Sequence, residues 1–65
     1  MNTLYIYSIE TNEHVATITG SSTDDCEFVA KERYGWNEYS WTYSPAFGFD
    51  GGLEYNDNAE EIAAN

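Results

Sequence analysis

Two runs of alternating side chains, Leu4-Tyr-Ile-Tyr-Ser-Ile9 and His14-Val-Ala-Thr-Ile-Thr19, stand either side of a stretch with room only for a turn. Both are rich in β-branched and aromatic residues, which suits strands. Thr11-Asn12 supplies the turn, because Asn tolerates positive φ, and Gly20 ends the second run. A loop over Glu10 to Asn12, or over Thr11 to Glu13, closes a hairpin. Either register places Leu4, Ile6, Ala16 and Ile18 on one face. Tyr5, Tyr7, Ile9, Val15, Thr17 and Thr19 then take the other face. The first set is what a helix would cover.

That helix is the stretch Ser22 to Gly35, STDDCEFVAKERYG. Ser21 or Ser22 caps it, and Asp24 and Asp25 favour the positive end of its dipole. Cys26, Val29, Ala30 and, less directly, Arg33 and Tyr34 share an inward stripe. Phe28 points away from it, under a C-terminal tail or into solvent. Gly35 is a natural stop.

Glu38-Tyr-Ser-Trp-Thr-Tyr-Ser44 has a clean period of two and predicts a third strand, ended by Pro45. Its Tyr39, Trp41 and Tyr43 either fill the core under the helix or form an exposed binding stripe. Phe47-Gly-Phe-Asp-Gly-Gly52 is a loop. Leu53-Glu-Tyr55 has the composition of a short fourth strand. Asp57-Asn-Ala-Glu60 resembles a capping box ahead of Glu61-Ile-Ala-Ala, the start of a short C-terminal helix that is marginal on its own. The tail from about residue 57 is therefore expected to be helical or flexible. The expected fold is α+β: a small antiparallel sheet from a β-β-α-β chain, strand order 2-1-3, with one helix on one face. Rings on both sides of the sheet imply a second cover, either the tail (Phe47, Phe49, Leu53, Tyr55, Ile62) or a partner.

Sixty-five residues make one domain. A chain this short buries only about 60% of its unfolded surface, so its core is thin. A single cysteine, Cys26, excludes an internal disulfide framework. No basic-then-apolar leader opens the sequence, and no apolar run approaches the roughly 20 residues of a membrane span. The expected location is a reducing cytoplasm.

Twelve acids face two bases, Lys31 and Arg33, both within the helical stretch. This balance disfavours nucleic acid and anionic membranes as direct partners and attracts a positively charged macromolecule. Catalysis has little support. His14 and Cys26 form a pair only on paper, since Cys26 lies in the apolar stripe, where a small buried thiol is common. Asp50, Glu54 and Asp57 offer oxygens in a glycine-rich loop, but their spacing does not match a calcium loop. No phosphate-binding loop, cofactor motif or paired-cysteine metal motif occurs.

The charge has a magnitude that bears on partners. A compact chain of this length spans about 28 Å, over which duplex DNA carries roughly sixteen charges. The net charge of −10 is thus roughly 60% of the line density of DNA. The β-β-α-β pattern, the run TLYIYSIETNEHVATITG, the acidic helix and the segment YSWTYSPAFGFDGG together resemble the small acidic anti-CRISPR proteins of phages and mobile elements. The likeness is greatest to inhibitors of type I effector complexes, those of type I-C among them. What the resemblance implies is stoichiometric inhibition without catalysis, in the cytoplasm of a bacterial host. The chain would be a monomer or weak dimer that occupies a Cas surface built to hold DNA or the protospacer-adjacent motif. The contact residues expected are Asp24, Asp25, Glu27, Glu32 and Glu38, with a second group of Asp50, Glu54, Asp57, Glu60 and Glu61. Trp36 and Tyr39 would flank them as apolar anchors. The rival expectations are an antitoxin-like or host-takeover protein that binds another basic protein, and a dimerising module that uses its Tyr/Trp face.

Overall fold

The computed structural model describes residues 1–35, 37–48 and 50–65. Strands β1 (Asn2–Ser8) and β2 (His14–Gly20) form the hairpin. Helix α1 follows (Thr23–Arg33), then β3 (Tyr39–Thr42) and β4 (Glu60–Ala63). The four strands lie in the order β3-β1-β2-β4.

The expected arrangement of the first three strands is present, with β1 central between β2 and β3 and antiparallel to both. The sheet is nevertheless mixed, because β4 runs parallel to β2. Two expectations fail at the C-terminus. Residues 60–63 form a strand and not a helix, and the tail is built into the sheet. Leu53 and Glu54 make only isolated bridges, to Phe47 and Glu13, so the short strand expected there is absent. The physical reason is burial. Ile62 falls opposite Ile18 on the helix side, and Ala64 donates its N–H to Thr19 O at 2.7 Å. A lone four-residue helical turn would bury neither.

The core follows from alternation. Leu4 pairs with Ile18 and Ile6 with Ala16. All four are 0% exposed, as are Cys26 and Ala30 of α1. Tyr39 and Trp41 pack against this cluster from β3, which is the first of the two roles considered for the aromatic strand. Tyr43 lies beyond the strand and is exposed, as is Phe28 on the helix.

One residue escapes the alternation. Ile6 pairs with Ala16 but Tyr7 pairs with His14, so β2 carries an extra residue at Val15. This bulge turns Val15 toward the helix-side core, against expectation, and puts His14 on the same face as Thr17. Asn12, at φ 60°, makes the turn possible.

Helix α1 starts where Ser22 Oγ accepts the Asp25 N–H at 3.2 Å, and it ends at Gly35, whose φ of 72° lets its N–H reach Ala30 O. The helix approaches the sheet closely because its buried residues are small. A Cβ placed on Gly20 would lie 3.1 Å from both Cys26 Sγ and Ala64 Cβ. Neither neighbour retreats cheaply, since one sits at the helix–sheet contact and the other is tied to Thr19. Gly20→Ala is therefore expected to cost about 1 kcal/mol or more despite its entropic benefit, and Gly20→Val about 2–3 kcal/mol. A lower urea midpoint with an unchanged slope would register the loss.

Part of the second face of the sheet is covered by the chain itself: residues 46–48 and 50–58 form a strap that passes beside Tyr5 and His14. His14 is 1% exposed there. Its ring is flanked by Tyr5, Phe47 and Tyr55, with centroids 5.6, 5.6 and 5.1 Å away. Phe47 also meets Tyr5 and Tyr55 edge-on. The expected covering role of the tail holds for Phe47 and Tyr55, which meet His14, and Leu53 is buried at 8% exposure outside the helix-side cluster. Ile62 packs on the opposite, helix side, and Phe49 lies outside the described residues.

Candidate protein-binding surface

Every carboxylate side chain reaches the surface. Only Asp25 and Glu27 are as much as half-buried, and the other ten are exposed. What distinguishes them is how they are held.

Asp25, at the first turn of α1, accepts from Asn65 Nδ2 at 2.7 Å. The same amide nitrogen lies 2.6 Å from Ser21 Oγ, and Asn65 Oδ1 accepts the Ser21 N–H at 3.0 Å. The chain end is thus fastened to the helix N-terminus. Glu27, on the other flank, lies 3.0 Å from the Tyr43 hydroxyl, which shares its proton with Thr23 O at 3.2 Å. At the far end, Glu60 uses both oxygens: Tyr34 donates to Oε1 at 2.7 Å and Arg33 to Oε2 at 2.8 Å. This ion pair is about half exposed on both sides, so its worth is about 0–1 kcal/mol.

The two phenols respond. Tyr34 is pushed up to about 12 by desolvation, the hydrogen bond to Glu60 and that carboxylate's charge. Tyr43 is pushed up to about 12 by desolvation and then by Glu27 in the same two ways. Both stay protonated, and so remain donors, throughout the neutral range. Asp25 and Glu27 also help burial to raise the Cys26 thiol, which is 0% exposed and has its sulfur 3.8 Å from Asn2 O. A raised, buried thiol is a poor nucleophile. Cys26 belongs to the helix-side core and His14 to the opposite face, so the sheet separates them.

The predicted residues therefore fall into two sets. Asp24, Asp25, Glu27 and Glu32 lie on α1, and Glu60 joins them through Arg33 and Tyr34. Asn65 meets the start of α1, and Glu60, opposite Ala16 in β2, meets the residues at its end, so these five acids, the helix layer, lie on the helix side of the sheet. The rest are elsewhere. Glu61 pairs with Thr17 and so points to the opposite face from Glu60. Glu54 and Asp57 belong to the strap, Asp50 to its turn, and Glu38 precedes β3. Asp50, Glu54 and Asp57 do not gather: among the described residues no group of three His, Cys, Asp or Glu side chains is placed to hold an ion. Tyr39 packs on the core and stacks edge-on with Tyr34 at 5.1 Å, which leaves it little freedom as an anchor. Trp36 lies outside the described residues.

Sequence reading missed Asn65, Tyr34 and Tyr43 as the residues that orient the acids. No local pattern marks them, since the contacts Asn65–Asp25 and Tyr43–Glu27 join positions 40 and 16 apart. No described helix is long and apolar enough to cross a membrane. In comparison with known proteins, the chain matches no family model, no curated protein sequence and no solved structure.

Proposed function

We propose that this chain is a non-enzymatic protein inhibitor that occupies a cationic DNA-binding surface of a bacterial type I CRISPR surveillance complex, with its helix layer standing in for a phosphate backbone. The observation that carries the reading is the way Asp25, Glu27 and Glu60 are held. Neutral donors, Asn65 and Tyr43, fix Asp25 and Glu27 without neutralising them, while Tyr34 orients Glu60 beside its ion pair with Arg33. Carboxylates pre-oriented in this way lose less rotamer entropy when an arginine or lysine engages their free lone pairs.

The magnitudes agree with the role. The radius of gyration is 11.0 Å and the longest axis 32 Å. Duplex DNA of that length carries about nineteen charges, against a net charge of −10 here. Each molecule presents only one side to the partner, so the protein carries roughly half the charge density of the duplex. Only Lys31 and Arg33 oppose the field, and Glu60 already engages Arg33.

The test is competition. Labelled duplex carrying the target sequence is bound to a purified type I complex, and the protein is added at increasing ratio. Displacement near stoichiometric ratio is expected, and it should weaken steeply with salt, because exposed charges are screened beyond about 8 Å at physiological ionic strength. Undisturbed DNA binding at a large excess of the protein in low salt would refute the proposal.

A further inference from the structure

We propose that His14 is a proton-operated latch, which holds the strap (residues 46–48 and 50–58) on the sheet while its ring is neutral and releases it on protonation. This reading is independent of the inhibitor proposal and concerns the opposite face of the sheet.

The geometry leaves the imidazole one protonation state. The Asn56 N–H donates to Nδ1 at 3.4 Å, so Nδ1 carries no proton. Nε2 lies 2.7 Å from Thr17 Oγ1 and donates to it. The ring is 1% exposed. A proton added at Nδ1 faces the Asn56 donor directly. It also places a charge inside a cage of Tyr5, Phe47 and Tyr55, where water does not reach. Those rings attract a cation to some degree, but they offer no acceptor for its second proton.

Among the described residues, the backbone hydrogen bonds that join the strap to the β1–β2 hairpin run to Asn12 and His14: His14 N–H to Glu54 O at 3.0 Å and Glu54 N–H to Asn12 O at 3.1 Å. Leu53, 8% exposed, and Phe47 against Tyr5 add apolar contact. Within the strap, Gly48 N–H donates to Leu53 O and Leu53 N–H to Ala46 O. Gly48 and Gly51, at φ 81° and 76°, sit in its turn. Loss of the His14 seat therefore frees the strap without breaking the β1–β2 ladder, and it uncovers Tyr5.

The surrounding groups oppose one another. From β1 the neighbours are Tyr5 and Tyr7, and from the strap Phe47 and Tyr55. The carboxylates close in sequence or in sheet register are Glu13 on the turn, Glu54 and Asp57 on the strap and Glu61 on β4. They favour the imidazolium, but all four are exposed and screened by water. Desolvation prevails over these and over a backbone hydrogen bond to Ala16, and it holds His14 below its ordinary 6.5. The sign follows. A released strap exposes an imidazole of ordinary affinity, which takes the proton first as pH falls. Below pH 6.5 and down to the folded value, the release equilibrium rises as pH falls, by at most about tenfold per pH unit; above it the latch is closed.

Amide hydrogen exchange by NMR, from about pH 8 to about pH 5, reads this directly. After correction for intrinsic rates, protection at Glu54 and Asn56 should be flat above pH 6.5 and fall below it, by at most about tenfold per pH unit, while Leu4 and Ile18 hold theirs. The His14 ring protons should titrate below 6.5. His14→Gln, which keeps a donor and an acceptor, should leave strap protection flat with pH. Strap protection that ignores pH in the wild type would overturn the latch. So would equal loss at strap and sheet amides, or a titration at or above 6.5. Should the variant not fold, the wild-type contrast between strap and sheet still decides.

Discussion

Ile18→Ala is expected to leave most of the chain unfolded at room temperature. Ile18 is 0% exposed, pairs with Leu4 across the hairpin and lies beside Ile62 in the parallel ladder. Truncation of such a residue costs about 2–5 kcal/mol, because the cavity cannot be filled by partial relaxation. A core of this size rarely provides more than about 3–5 kcal/mol in total. No disulfide shares the load, since Cys26 is alone. The cavity would open where three strands and the helix meet, so no single element can collapse into it. Urea unfolding followed by far-UV dichroism measures the effect. Ile62→Ala is the internal comparison: half-buried and at the sheet edge, it should cost about 1–2 kcal/mol and leave a folded protein. Equal midpoints for Ile18→Ala and the wild type would contradict the core described above.

The same residues mark how far the sequence carries. Leu4, Ile6, Ala16 and Ile18 were legible because alternation is local and the whole face must be apolar to be buried. The helix was legible from Ser22, the two first-turn aspartates and Gly35, each of which acts within a few residues. The end of the chain was not. Glu-Glu-Ile-Ala-Ala favours a helix by propensity, and only the distant Ile18 and Gly20, which offer Ile62 and Ala64 a place to pack, decide for a strand. The bulge at Val15 was hidden for the opposite reason. The alternating pattern is undisturbed in sequence, and the extra residue is forced only by how the Asn12 turn joins Tyr7 to His14. That slip decides the fate of His14, which a strict alternation would have put on the helix side.

The acids were legible as a charge but not as a surface. Composition shows the sign of the protein's field. It does not show which carboxylates share a layer. Two residues in sequence, Glu60 and Glu61, end on opposite faces because they are adjacent in a strand; on a helix they would have been neighbours on one side. The sets drawn from sequence spacing therefore divide differently in three dimensions, with Glu60 joining the helix, Asp50, Glu54 and Asp57 left on the strap and Glu61 on the far face of β4.

That division makes the inhibitor reading sharply testable, because two double reversals with the same net charge should behave differently. Asp24→Lys with Glu32→Lys alters the helix layer at two exposed positions that hold no described hydrogen bond. Lysine near the helix start opposes the dipole and lysine near its end favours it, each by about 0.3–1 kcal/mol, so stability should change little. Asp57→Lys with Glu61→Lys makes the equivalent change away from the helix layer. If guanidinium and ammonium groups of the partner engage the helix layer, the first double should weaken binding to the type I complex by about a hundredfold or more, since each reversal removes an attraction and adds a repulsion. The second, acting only through the long-range field, should weaken it by roughly tenfold or less at physiological salt. Asn65→Ala adds a third reading. It leaves every carboxylate in place and frees Asp25, so a measurable loss of affinity in a folded variant reports the value of holding that carboxylate still. Equal losses from the two doubles would mean that net charge alone drives association and that the helix layer has no special part in it.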